Sequence, residues 1–83
     1  MKGIYKMLEK MFKRFKVYAD GEKIFNIISN KIKDFKEAGV YNIPIIGDFS
    51  ASIKMTKVTN TSWEYEIVSI SNSEKTVLSQ EVF

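Results

Sequence analysis

The chain has 83 residues, of which 45% are hydrophobic and 28% charged, and its formal net charge is +3. It contains no histidine and no cysteine, so it lacks the commonest general base, the thiol nucleophile and the usual transition-metal ligands. No apolar run approaches the roughly 20 residues of a membrane-spanning helix. We expect a single, cytoplasmic domain over residues 1–83, without disulfides.

The charges are unevenly distributed along the chain. Residues 1–16 hold six basic side chains and one acidic one, about +5, whereas residues 17–83 hold seven basic and nine acidic ones, about −2. At helical spacing the cations gather on one face and the apolar side chains on the other. The basic residues are Lys2, Lys6, Lys10, Lys13, Arg14 and Lys16.

The first predicted element is a helix over residues 3–18. Its apolar stripe has the spacing of one helical face and consists of Ile4, Leu8, Met11, Phe15 and Tyr18. A competing interpretation makes residues 14–19 a strand, because Phe15, Val17 and Ala19 alternate with charged or polar neighbours.

A second helix is predicted over residues 22–38. Asp20-Gly21 interrupts the first helical pattern, and Asp20 suits the N-cap position, with Glu22 favourable in the first turn. Gly39 stands where a helix often ends. The apolar face consists of Ile24, Phe25, Ile27, Ile28, Ile32 and Phe35.

Residues 40–48 contain the only proline of the chain, Pro44, followed by a Gly47-Asp48 turn signal. Proline disfavours helix in the preceding residue and is tolerated in edge strands. The segment is therefore either a buried crossover or a short edge strand.

From Phe49 onward the apolar residues recur at every second position, which predicts strands over residues 49–58, 62–70 and 76–82. If Val58 faces Ser62, the first two strands pair with one apolar and one charge-matched face. The predicted pairs are Ile53–Ile67, Met55–Tyr65, Lys57–Trp63, Lys54–Glu66 and Thr56–Glu64. The last strand has two possible phases, and its outer edge, 76–83, has little protection.

These elements predict an α+β fold: two N-terminal helices and then a three-stranded antiparallel meander, with the helices on one face of the sheet. We interpret Trp63 and Tyr65 as core residues, with a contact role as the alternative. On this interpretation Trp63→Ala unfolds the domain, since a buried tryptophan contributes about 3–5 kcal/mol.

The sequence offers little catalytic chemistry. The four glycines are isolated from one another, so there is no glycine-rich phosphate loop. Asp20 and Asp48 each stand beside a glycine, which is typical of caps and turns rather than of a catalytic pair. We expect a protein that is not an enzyme and has no cofactor, metal site or catalytic residue.

The basic helix is the most function-suggestive feature, since such a helix can meet an acidic protein, a nucleic acid or a membrane surface. A membrane role would require the helix to leave the sheet that it covers, which argues against it. We expect a small protein-binding module that acts by surface occlusion or assembly, as inhibitory and accessory proteins of phages and mobile elements do. The residues expected to contact an acidic partner are Lys6, Lys10, Lys13 and Arg14.

The alternative function is nucleic-acid binding through the same lysine-rich face, because clustered cations bind phosphates without regard to sequence. A homodimer through the sheet edge or the first helix is compatible with both interpretations.

Overall fold

The structure is a computed structural model, and it describes residues 3–82. Two helices, α1 (Gly3–Lys13) and α2 (Gly21–Ile32), precede four strands. The strands are β1 (Gly39–Pro44), β2 (Ser50–Val58), β3 (Trp63–Ser71) and β4 (Thr76–Leu78), and a single turn of 3-10 helix, the C-terminal turn (Ser79–Val82), follows them. The sheet is antiparallel in the order β1-β2-β3-β4. The predicted α+β fold is confirmed, with four strands rather than three.

The helices cover one face of the sheet. Alternation along β2 buries Ala51, Ile53 and Met55 and leaves Lys54 and Thr56 exposed on the opposite face. The helices bring their apolar stripes to the buried face, and most of the core comes from Met7, Leu8, Met11, Phe12, Ile24, Ile28, Ile32, Ile43, Ile53, Ile67 and Ile70. Burial of these side chains is what holds the two layers together.

The first helix ends at Lys13, not at residue 18. Lys16 adopts a left-handed conformation, with φ of 62°, and its amide donates to the carbonyl of Lys13 at 2.8 Å. The amide of Val17 donates to the carbonyl of Phe12 at 3.1 Å, which completes a Schellman-type helix end. The chain therefore turns away before Tyr18, which is 89% exposed and lies off the predicted stripe. The strand alternative for residues 14–19 is also wrong.

The second helix begins as predicted. The Asp20 carboxylate accepts hydrogen bonds from the amides of Glu22 and Lys23, at 3.0 and 3.4 Å. The Glu9 carboxylate of α1 accepts a third bond, from the amide of Gly21, at 2.9 Å. Two acids thus satisfy amides that the helix itself leaves unpaired.

Gly21 also allows the two helices to approach each other closely. A Cβ atom built at this position would lie 2.1 Å from the carbonyl oxygen of Tyr5. Only a residue without a side chain therefore fits between α2 and the backbone of α1.

The second helix ends at Ile32, six residues before the predicted end at 38. The reason is tertiary: the chain leaves the helix so that the Phe35 ring stacks on the Tyr41 ring, with centroids 3.9 Å apart. Gly39 does not terminate the helix; it is the first residue of β1, with φ of 148°, a conformation that favours glycine.

Of the two interpretations of residues 40–48, the edge strand is correct. β1 pairs with β2 along its whole length, from Gly39 opposite Met55 to Pro44 opposite Ser50. Only Ile43 of β1 is fully buried, so the strand shows too little alternation for the sequence to predict it firmly.

The β2–β3 register is partly as predicted. Ile53–Ile67, Lys54–Glu66 and Met55–Tyr65 are partners, but Lys57 faces Glu64, not Trp63. An extra residue on β2, Thr56, causes this shift, and its hydroxyl donates to the carbonyl of Glu64 at 3.0 Å. Such a bulge changes which side chains face each other beyond it.

A second bulge, at Val68, places both Ile67 and Ile70 in the core, and Val77 of β4 pairs with Ile70. The predicted strand over 76–82 is too long: it ends at Leu78, and the C-terminal turn then brings Val82 back to the core. The two predicted phases placed either Leu78 and Val82 or Val77 and Phe83 on the buried face. The structure buries Val82 from the first and Val77 from the second. Phe83 lies outside the described residues.

Candidate functional site

Three of the four predicted contact residues form an exposed surface on α1. Lys6, Lys10 and Lys13 are all exposed, and we call them the basic face. The opposite side of the helix is held in the core by Met7, Leu8, Met11 and Phe12. Because the i, i+4 and i, i+7 spacing places these lysines on one side of a helix, the sequence was sufficient to predict the surface. Lys2, also predicted there, lies outside the described residues.

Within residues 3–82, no acidic side chain forms an ion pair with a lysine of the basic face. The one ion pair in this range joins Lys57 and Glu64, at 3.9 Å, on the sheet. The acid within α1, Glu9, is committed to the amide of Gly21. The three lysines outnumber this one acid, so the basic face projects a net positive charge into solvent.

Arg14 has a different role from the three lysines. It follows the last residue of α1, and its Nη2 donates to the backbone carbonyl of Glu81 in the C-terminal turn at 2.9 Å. The guanidinium thereby fastens the C-terminal turn to the end of α1. Its remaining N–H groups still allow it to bind an anion.

A second group of cations surrounds a groove beside the basic face. The groove has a volume of about 290 Å³ and is lined by Arg14, Phe15, Lys16, Asn72, Glu74 and Lys75. The ammonium of Lys75 donates to the backbone carbonyl of Arg14 and lies 5.3 Å from the centre of the Phe15 ring. Cations at this position interact favourably with the partial negative charge at the C-terminal end of α1.

Sequence reasoning missed Lys75. It is 61 residues from Arg14 in the chain, and no local pattern distinguishes it from other turn lysines. Only the pairing of β3 with β4 brings its turn to the end of α1.

Asp48 performs a structural task. Its carboxylate accepts hydrogen bonds from the hydroxyl and the amide of Ser73, at 2.8 and 3.2 Å. These bonds hold the pKa of Asp48 below its usual value of 3.8. The turn after β1 is thereby tied to the turn before β4. Asp20 is used as a helix cap, so each of the two acids acts in a cap or a turn, as predicted.

Trp63 and Tyr65 are half-buried and pack against the edge of the core. The indole Nε1 of Trp63 donates a long hydrogen bond, 3.4 Å, to the carbonyl of Phe35. Burial raises the pKa of Tyr65, and an interaction with the Ser29 side chain opposes this more weakly. Both residues serve the packing of the sheet, although neither is completely enclosed as a core residue.

Among residues 3–82, no three acidic side chains come together as they would to hold a metal ion. None of the helices in this range has the length and apolar character needed to cross a membrane. No protein-family model, curated protein or solved structure matches this chain.

Proposed function

We propose that this chain is a protein-binding module that docks on an acidic surface of its partner through the basic face. The observation that supports this most directly is that Lys6, Lys10 and Lys13 are exposed on one side of α1 and form no ion pair with an acidic side chain of residues 3–82. Complementary charge of this kind steers two proteins together and orients them as they meet.

The rigidity of the basic face strengthens the proposal. Leu8, Met11 and Phe12, on the opposite side of the same helix, are completely buried. The lysines therefore project from a backbone that does not need to become ordered on binding, which lowers the entropic cost of association. A small domain with a fixed charged surface can act by occluding a partner or by joining an assembly, as an inhibitory or accessory protein of a phage or mobile element would.

One observation favours nucleic-acid binding as a second candidate function. Arg14, Lys16 and Lys75 converge on one groove, although their turns are far apart in sequence. Phosphate oxygens prefer such a cluster of cations, but Glu74 also lines the groove and would repel them. The nearest aromatic ring, Phe15, packs against Phe49 with centroids 5.0 Å apart, so it is not free to stack on a base.

The test compares a labelled acidic polypeptide, polyglutamate, with labelled single-stranded DNA, duplex DNA and RNA. Binding is read by fluorescence anisotropy at low and at physiological salt. We expect the double variant Lys10→Glu/Lys13→Glu to bind polyglutamate about tenfold more weakly or worse, because the charge that attracts the probe is reversed.

The matched control is Lys31→Glu/Lys33→Glu, which makes the same charge change at the end of α2. Because both pairs stand near a helix C-terminus, both lose the same favourable interaction with the helix dipole. The control should bind like the unaltered chain, and circular dichroism should show that both variants are folded. Equal binding by all three proteins would refute the proposal. Tighter binding to DNA or RNA that depends on Lys16 and Lys75 would establish the second candidate instead.

A further inference from the structure

The outer edge of β1 carries unpaired backbone groups. The amide of Ile45 donates to the carbonyl of Phe49 at 3.0 Å, in the same register as the β1–β2 ladder. Because hydrogen-bonded residues alternate in an antiparallel pair, Tyr41 and Ile43 direct their backbone groups toward β2. Val40 and Asn42 therefore direct theirs outward, away from the sheet.

Apart from Pro44, this edge lacks the devices that usually prevent strands from pairing between molecules. Residues 38–47 form the longest stretch of the chain without a charged side chain. Natural edge strands commonly carry lysine or another charge at such positions. Val40 is 69% exposed and Ile46 is 47% exposed, and these are two of the three large apolar side chains that are exposed in residues 3–82.

We infer that β1 pairs with β1 of a second copy of this chain, antiparallel, so that the two sheets continue into one. The symmetry axis passes beside Tyr41, and Val40 of each copy pairs with Asn42 of the other. In this register each Val40–Asn42 pair exchanges two backbone hydrogen bonds. Pro44, which has no N–H, lies beyond these pairs and is not required to donate. A twofold interface of this kind needs only one self-complementary surface.

The side chains are compatible with the same arrangement. Tyr41 is only half-buried in one copy, and its ring stacks on Phe35. At the symmetry axis the two Tyr41 side chains project from the same face of the joined sheet, as directly opposite residues do. The two stacked pairs then cover each other's exposed rings.

The distribution of charge favours a second copy as the occupant. α1 contacts α2 and the C-terminal turn, at the β4 end of the molecule. Two copies that meet at β1 therefore keep their basic faces apart, so the net charge of +3 does not oppose the contact strongly. The charged residues that flank β1 are Lys36, Glu37 and Asp48, which together carry about −1. The inference does not depend on the proposed function, since the basic face takes no part in it.

The experiment combines sedimentation velocity with amide hydrogen exchange, both from micromolar to millimolar protein. We expect a monomer that becomes a dimer as the concentration rises. Exchange of the Val40 and Asn42 amides should slow by about tenfold or more when the dimer predominates. The Tyr41 and Ile43 amides, bonded to β2, should be protected at both extremes of concentration.

Two variants locate the contact. Asn42→Pro removes an outward N–H without breaking the ladder to β2, and Val40→Lys places a charge on the edge. Both should remain monomeric. Asn26→Lys adds the same charge on the exposed side of α2 and should dimerise normally. A chain that stays monomeric at all concentrations, or a dimer in which the Val40 and Asn42 amides still exchange rapidly, would overturn the inference.

Discussion

The two edge strands of the sheet, β4 and β1, differ in length and in the contacts that neighbouring segments make beside them. β4 is only three residues long, and the C-terminal turn follows it directly and contacts α1 and β3. Arg14 fastens this turn by its bond to the carbonyl of Glu81. β1 has six residues, and the described part of the chain places no element over its outer side.

Whether an edge of this sheet is open thus depends on the length of its strand and on the contacts of the segment that follows or precedes it. The sequence predicted an edge strand with little protection over 76–83, whereas in the described residues the edge strand is confined to Thr76–Leu78 and Ser79–Val82 form the C-terminal turn. The long open edge is at the other end of the sheet, in the segment with the proline. The protected edge, β4 with the C-terminal turn, is fastened by contacts between Arg14 and Glu81 and between Lys75 and Arg14. The open edge, β1, has no charged side chain.

The largest expected effect comes from Gly21→Ala. It tests the packing of α1 against α2, and α1 is the helix that contacts the C-terminal turn at the protected edge. The added Cβ would clash with the Tyr5 carbonyl at 2.1 Å, so α1 must move away from α2. We expect a loss of about 3 kcal/mol in the free energy of unfolding, measured by urea denaturation. Gly3→Ala is the control, because its Cβ meets nothing within 4 Å. A loss below about 1 kcal/mol would contradict the close approach of the helices.

The next largest effect is expected from Trp63→Ala, which tests the contacts that hold β1, the open edge, through Phe35. Trp63 holds the segment after α2 through Phe35, and Phe35 stacks on Tyr41 of β1. Because the indole is only half-buried, we expect a loss of about 2 kcal/mol, less than for a fully buried tryptophan. The folded fraction should stay high by near-ultraviolet circular dichroism. Complete unfolding would restore the sequence-based expectation that Trp63 is a core residue. Trp63→Phe separates the lost indole hydrogen bond from the lost packing.

A smaller effect is expected from Arg14→Ala, which opens the protected edge. It removes the hydrogen bond to the Glu81 carbonyl, which solvent can replace in part, so the loss should be about 0.5–1 kcal/mol. Amide exchange in the C-terminal turn should become faster, while β1 is unaffected. Lys13→Ala, one residue earlier, serves as the control because Lys13 lies on the exposed basic face. If both variants exchange alike, Arg14 does not fasten the turn.

The smallest effect is a pH dependence at Asp48, which links the two edges through their turns. Its pKa is lowered in the folded chain by the bonds from Ser73. A lowered pKa stabilises the fold above the unfolded value of about 3.8, and this stabilisation is lost as the pH falls through the folded value. The difference in unfolding free energy between the unaltered chain and Asp48→Asn should therefore shrink in acid below about pH 4. A difference that stays constant from neutral pH to pH 2, roughly, would show that the Ser73 bonds do not act on this carboxylate.

Much of the helical layer was predictable because its signals are local. The N-cap at Asp20 and the apolar stripes depend on residues within a few positions of one another. The same holds for the basic face, since three lysines at helical spacing on an amphipathic helix must lie together. The β2–β3 pairing was predictable only between the bulges at Thr56 and Val68.

The remaining features arise from contacts between distant parts of the chain. α2 ends at Ile32 because the Phe35 ring packs on the Tyr41 ring. The cationic groove forms because the turn before β4 brings Lys75 to Arg14. Residue type and spacing thus specified which surfaces are apolar or charged, because side-chain periodicity acts within one element. Where elements end, how strands slip at bulges and which edge stays open depend on packing between elements, whose energies outweigh local preference.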